Sequence, residues 1–454
     1  MPKSVAKKDR KRVLKIWITT LIFFISQPSY ANLALIRDAE TEKFLRELSV
    51  PIFNAAGLNP GGIKIYIVND ESINAFVSGG QNIFINTGLI KKYKTPDTLI
   101  GVIAHETGHI SGGHLARSRE GIKNAEGAML LSYLLGIGAM VGGSPEAGQA
   151  LILGGSQTAE RLYMKFTRTQ EEAADQYAIT YLDRMAYPVT GLVSLLEFFE
   201  SQMIGYKGKI DEYLLSHPVS KKRIDVIKAR TVHQKFSNKK INHELQNQMD
   251  WVLAKLEGFV EDPNVLLKKY RNGNNEIENY IRSIALFKKG EVGESLILLD
   301  KIIKENPENG FLPELKGQIL FETGDIKNSL IAYDRAIKIL DPHDSGLAKI
   351  AFASAILALK NNDKELVTLA IKRLREADEF EKENPFLFKQ LASAYSKNDD
   401  DGRALLALAE FNFLIGDKKK CKKFATEAKE KLPKSAKEEI LHADDLLEIV
   451  KDES

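Results

Sequence analysis

Apolar and polar residues alternate along Ile63-Lys64-Ile65-Tyr66-Ile67-Val68 and the run stops at Asn69-Asp70, the pattern of a half-buried strand closed by turn formers. Gly79-Gly80 marks a turn, and Asn82-Ile83-Phe84-Ile85-Asn86 predicts a second strand ending at Thr87-Gly88. The period then lengthens. Thr95-Pro96 predicts a helix start, with Thr95 at the N-cap and Pro96 in the first turn, and Leu99, Val102 and Ile103 supply its apolar face.

From about residue 248 the chain is almost wholly helical in pattern, and it repeats. Gly290 is matched by Gly324 at a spacing of 34, and Pro307 by Pro342 at a spacing of 35, with one amphipathic helix between each Gly and Pro. That grammar is the tetratricopeptide signature. Later units are looser, with turns at Asn361-Asn362-Asp363, Lys397-Asn398-Asp399 and Gly416-Asp417, the last closing at Pro433. The expected organisation is a mixed α and β domain over 32–235, a polar linker over 236–247 and a repeat domain over 248–454.

Composition narrows the class. A chain of 454 residues with 44% hydrophobic and 28% charged residues is neither largely disordered nor a polytopic membrane protein. The net charge of +3 hides an asymmetry: residues 1–31 carry seven basic residues against Asp9, so the remainder is slightly acidic. A slightly acidic body has no footprint for nucleic acid. The basic start leads into the apolar run Ile16 to Ile25, then Gln27-Pro28 and the small-residue end Ser29-Tyr30-Ala31. This is the order of a secretory signal peptide, with cleavage expected after Ala31 and export to the periplasm of a bacterium. The single cysteine, Cys421, excludes an internal disulfide and is expected on a solvated face of a lysine-rich helix.

His105-Glu106-Thr107-Gly108-His109 falls on the helix begun at Thr95. Residues four apart share a helix face, so both imidazoles reach one ion, and Glu106 beside them is placed to take a proton from an attacking water. Gly108 is a weak helix former whose small size lets another segment approach closely. Three candidates stand for a third ligand. His114 follows Gly112-Gly113 but sits one residue short of the spacing that would ligate, which suits a supporting role. Glu171 and Asp175 in Thr169-Gln170-Glu171-Glu172-Ala173-Ala174-Asp175 share a face of a helix for which Thr169 and Glu172 form a capping box. Glu171 would then ligate, Asp175 would fix an imidazole and Glu172 would face elsewhere. His217, in Ser216-His217-Pro218, is the third.

The chain resembles the BepA-type periplasmic metalloproteases, relatives of the HtpX and CaaX-prenyl endopeptidase group. The likeness rests on Asn74-Ala75-Phe76 with Gly79-Gly80, Ile83 to Leu89, the His105 helix, Glu171 with Ala174-Asp175, and His217-Pro218 with Arg223-Ile224. It also takes in Ala254 to Phe259 and the repeats. The resemblance implies an α+β, mostly helical chain: a gluzincin-type metalloprotease domain with a small sheet, then an α-solenoid. It further implies one zinc ion on His105, His109 and Glu171, Glu106 as general base, Asp175 supporting a ligand, and Arg223 in the same neighbourhood. His217 is implied to lie over the zinc as a latch or a catalytic group. Asn82, Ile83, Phe84, Ile85 and Asn86 are implied to form the sheet edge on which an extended substrate pairs. The expected activity is degradation of unfolded or misassembled outer-membrane proteins and help with their assembly, with the repeats contacting substrate or the β-barrel assembly machinery. The alternative is a chaperone or scaffold in which proteolysis is secondary. Outside these motifs, Ala128 to Val141 is apolar and Gly-containing but short for a span, consistent with a helix packed near the active site or with peripheral membrane contact through 128–143.

Overall fold

The computed structural model describes residues 34–141, 145–203, 213, 217–231, 242–360 and 363–451. The expected signal peptide and the start of the expected linker lie outside them. The fold is mostly helical with a small sheet, and the chain divides into two compact units, Glu42–Leu256 and the described part of Met1–Thr41 with Glu257–Ser454. The division falls near the end of a helix, His243–Val260, which also takes up the last residues assigned to the linker.

In the first unit, β2 (Ile65–Val68), β3 (Ala75–Ser78) and β4 (Asn82–Asn86) follow a short β1 (Leu35–Ile36) and α1 (Ala39–Ala56) in the chain. β4 is central, pairing parallel with β2 and antiparallel with β3. Register places Tyr66, Phe84 and Phe76 in one cross-strand row, with neighbouring ring centroids 5.1 Å apart. Such rows are the stabilising unit of a sheet. Gly79 and Gly80, at φ 58° and 97°, make the β3–β4 turn that other residues adopt only with strain.

The sheet leads through α2 (Thr87–Lys92) into α3 (Pro96–Ser111), buried over almost all its length. Thr95 occupies the N-cap position, although its side chain makes no capping hydrogen bond, and Pro96 opens the helix. After Gly112-Gly113 the chain forms a long helical hairpin, α4 (His114–Val141) and α5 (Pro145–Arg184). The apolar run Ala128–Val141 forms the end of α4, and five of its side chains (Met129, Leu130, Leu131, Leu134, Leu135) are exposed rather than packed over other elements. α6 (Thr190–Met203) and α7 (Lys221–Thr231) complete this part, followed by α8 (His243–Val260).

The second unit is an array of helix pairs preceded by α9 (Pro263–Lys269): α10 (Glu276–Lys289) with α11 (Val292–Glu305), α12 (Phe311–Glu322) with α13 (Ile326–Ile339), α14 (Gly346–Ala358) with α15 (Lys364–Asp378), α16 (Pro385–Lys397) with α17 (Asp401–Leu414), and α18 (Lys418–Lys431) with α19 (Lys437–Ile449). Gly290 and Gly324 adopt the same left-handed turn, φ 90° and 89°, and Asp399 takes a left-handed φ of 60° at the corresponding turn of a later pair. Asp325, Asp363, Asp400 and Asp417 cap α13, α15, α17 and α18. Cys421 corrects the expectation of a solvated position. It is fully buried against Ala409, Ala425, Leu446 and Val450, and burial pushes its thiol up to about 11. The lysines around it occupy the other faces of α18, so the neighbouring residues in sequence say little about the face that Cys421 shares with Ala425 and Ala428.

Candidate metal centre

α3 brings His105 and His109 onto one face, one turn apart. α5 crosses it at Gly108, where an added Cβ would lie 2.7 Å from the Ala174 carbonyl oxygen. The absence of a side chain at Gly108 therefore sets how closely the two helices approach. The crossing delivers Glu171 and Asp175, also one turn apart, against the histidines. The segment that enters α7 adds His217 and Arg223, both buried.

His105 Nε2 and His109 Nε2 stand 3.2 Å apart. Glu171 completes the triangle, its Oε2 3.3 Å from His105 Nε2 and its Oε1 3.2 Å from His109 Nε2. A tetrahedral site with ligands at about 2.0–2.1 Å has ligand–ligand edges of about 3.3–3.4 Å, so these separations fit a divalent cation at the centre of the group. His217 joins them, its Nδ1 3.2 Å from Glu171 Oε1, and one donor atom from each of the four residues lies within 4.8 Å of the others. Two imidazoles and a carboxylate are a sound donor set for such an ion.

The far side of each ring is also held. His105 Nδ1 faces Asp175 Oδ1 at 3.1 Å, and His109 Nδ1 faces His114 Nδ1 at 2.9 Å. Contacts of this kind select the ring orientation and tautomer that leave Nε2 for a metal. Arg223 ties the arrangement together. Its Nε and Nη2 donate to Asp175 at 2.8 and 2.9 Å, and its Nη1 donates to the Pro218 carbonyl at 2.8 Å and lies 3.0 Å from Glu171 Oε2. Arg223 thus compensates two buried carboxylates and pins the segment that carries His217. Glu172 points away from the cluster and pairs at the surface with Lys222.

The electrostatics separate the roles of the two glutamates. Burial alone would raise Glu171, but His217, His105 and His109 outweigh it and hold the carboxyl well below its usual range. Burial lowers His109 to about 3 against the pull of Glu171, which leaves a neutral imidazole suited to ligation. Glu106 is fully buried and burial raises its carboxyl, with His217 and His105 pulling the other way. Its oxygens make no close side-chain hydrogen bond among the described residues; the Val77 backbone and His217 Nε2, 3.5 Å from Oε1, are polar neighbours. A loosely held carboxylate with a raised pKa, beside a cluster that could hold a metal, is equipped to take up and return a proton.

Two expectations are corrected. Asn82–Asn86 is not a sheet edge: β4 is hydrogen-bonded on both sides, and β3 (Ala75–Ser78) is the outer strand next to it. His217 Nε2 lies 3.3 Å from the Ala75 carbonyl oxygen, so it is this outer strand that meets the histidine cluster. Thr169 and Glu172 do not cap a helix start, because α5 runs unbroken through them and Thr169 Oγ1 donates back to the Lys165 carbonyl. Sequence reasoning missed β3 as a strand, although Ala75-Phe76-Val77 before Gly79-Gly80 carries the signal of a hairpin arm. It also missed Tyr213, whose ring packs on His217 with centroids 4.8 Å apart and stacks on Phe199. An isolated tyrosine carries no local signal of such a contact.

Residues 37–231 match the profile of peptidase family M48, a span that contains all of these side chains. The chain is 25% identical over 307 residues to the Beta-barrel assembly-enhancing protease of Yersinia pestis, covering 65% of this chain and 61% of that protein. It is 25% identical over 297 residues to the protein of the same name from Escherichia coli (strain K12), covering 63% and 59%. Metalloprotease LoiP of Escherichia coli (strain K12) is 28% identical over 184 residues, 39% of this chain and 68% of that protein. The chain thus spans about three fifths of the length of the Beta-barrel assembly-enhancing proteases it matches. The span that holds this His/Glu cluster is thus similar to peptidase family M48, and the chain is similar to the Beta-barrel assembly-enhancing proteases.

Proposed function

We propose that this chain is a zinc endopeptidase of the periplasm that cleaves unfolded or misassembled outer-membrane proteins and is held in check by His217. The helical repeats would present substrate or dock on the β-barrel assembly machinery. The observation that carries this proposal is the convergence of His105 Nε2, His109 Nε2 and the Glu171 carboxylate beside the buried Glu106. The donor set favours zinc, one per chain, which when bound supplies a Lewis acid that polarises the scissile carbonyl and acidifies water.

The chain's own residues do the rest. Glu106 accepts the proton of the attacking water and returns it to the amide nitrogen, so that the C–N bond breaks with a neutral amine leaving. Asp175 and His114 keep the two ligand rings aligned, and Arg223, with His105, holds Asp175 ionised and lies 3.0 Å from Glu171. β3 offers main-chain groups on its side away from β4, and an extended peptide adds there as a further strand. A strand already paired in a folded barrel has no such edge to give, which favours unfolded chains. The names of the relatives and the exported-protein pattern of residues 1–31 support this choice of substrate and compartment.

His217 touches both glutamates, and Tyr213 and the Pro218–Arg223 hydrogen bond brace it. A residue so placed restrains Glu106 and obstructs the fourth corner of the ligand group. Replacing it by Ala is expected to raise cleavage of a urea-unfolded outer-membrane β-barrel protein several-fold, with the folded barrel left intact. Unchanged or slower cleavage would show that His217 is no latch. Equal cleavage of the folded barrel would refute the preference for unfolded chains.

A further inference from the structure

The described side chains of the α4–α5 hairpin are arranged inside out for a protein in water. Its helices meet through small residues: an added Cβ on Gly155 would lie 1.9 Å from the Ser132 side chain, and Ala159 is buried. Six leucines face outward. Leu130, Leu131, Leu134 and Leu135 on α4, with Leu151 and Leu153 on α5, are between 42% and 61% exposed. Small residues between helices and leucines outside them is the packing of helices in lipid. Exposed leucines clustered in this way mark an interaction site.

Charge is distributed along the same axis. Residues 127–159, which make up the distal part of the hairpin, contain one charged residue, Glu146. At its root, next to His114 on α4 and Glu171 on α5, segments 115–126 and 160–170 hold six basic residues against three acidic ones. Arg161, Lys165 and Arg168 are exposed there and line an open cleft of about 770 Å³, and the exposed Tyr163 lies among them in the sequence. A basic, aromatic collar beneath an apolar tip matches the polarity profile of an anionic membrane surface. The tip is too short to span: residues 127–141 cover about 22 Å as a helix against about 30 Å of hydrocarbon. No helix among the described residues is long and apolar enough to cross a membrane.

We propose that the hairpin tip inserts into one leaflet of an anionic phospholipid membrane, with the basic collar on the headgroups. Leu153 and Glu171 lie on the same helix, about 27 Å apart along its axis, so the metal centre would be held outside the headgroup layer on a rigid post. This proposal is independent of whether the chain cleaves peptides.

An environment-sensitive dye on Leu134→Cys in the full chain tests it. Cys421 is fully buried, so labelling of the folded chain falls on residue 134. The label reports lipid at that residue, and contacts made elsewhere do not register. With vesicles of phosphatidylethanolamine and phosphatidylglycerol the emission should shift to the blue, and with phosphatidylcholine alone it should shift little. Joint replacement of Arg161, Lys165 and Arg168 by Gln should weaken the response to the anionic vesicles by about tenfold or more. In unlabelled protein, Leu130→Gln with Leu134→Gln should reduce flotation with those vesicles to a similar extent, at an unchanged melting temperature because both side chains face solvent. No shift with either vesicle, or an equal shift with both, would overturn the proposal. So would a shift that grows with protein concentration in the absence of lipid, which would make the leucines an interface with a second copy.

Discussion

Glu106→Gln is expected to lower peptide cleavage by about 10²- to 10⁴-fold while the chain keeps its metal. Glutamine has the shape of glutamate but cannot accept the water proton. The substitution leaves untouched the contacts among His105, His109 and Glu171 that form the metal triangle. It should also spare the fold. Glu106 is a buried carboxyl whose pKa burial raises, so its ionised form costs stability, and an uncharged side chain of equal size is expected to hold or raise the melting temperature. Cleavage of an unfolded protein, with metal content measured on the same preparation, separates the outcomes. Cleavage at the parental rate would remove Glu106 from the chemistry, and loss of metal would make it part of the binding site.

The second large effect distinguishes neighbours in sequence. Glu171→Ala should abolish stable metal binding, with affinity falling by more than about 100-fold, the upper end of what loss of a supporting contact costs. Glu172→Ala should leave binding unchanged, because that side chain faces solvent and pairs with Lys222 at the surface. Asp175→Asn should fall between them, since it weakens the hold on His105 without removing a ligand. Metal retained after dialysis against a weak chelator gives the comparison. Retention by Glu171→Ala together with loss by Glu172→Ala would mean that α5 presents a different face to α3.

How much of this was legible in the sequence depended on whether the cause was local. The periods of β4, α3 and the repeats are properties of short segments, and Gly290 and Gly324 mark their turns because a left-handed φ suits glycine. Gly108 was also legible as a point of close approach, although nothing local identified Ala174 as the residue opposite. The capping signal of Thr169 and Glu172 is local too, but the preceding segment is helical in its own right and the signal never acts. Strand order is a pairing between distant segments, so the sequence marked Asn82–Asn86 as a strand without revealing that β3 flanks it. Arg223 drew notice only through resemblance. Its physical role, balancing Asp175 and Glu171 of α5 from α7, exists only once those helices have packed.

A single cation gripped by His105, His109 and Glu171 underlies the peptidase proposal. A diffraction experiment at the zinc absorption edge on the purified full chain tests it most directly. The account predicts one anomalous peak per chain, at about 2.0–2.2 Å from Nε2 of both histidines and from a carboxylate oxygen of Glu171. A peak that leaves Glu171 out, or no peak there in protein prepared with zinc, would contradict it.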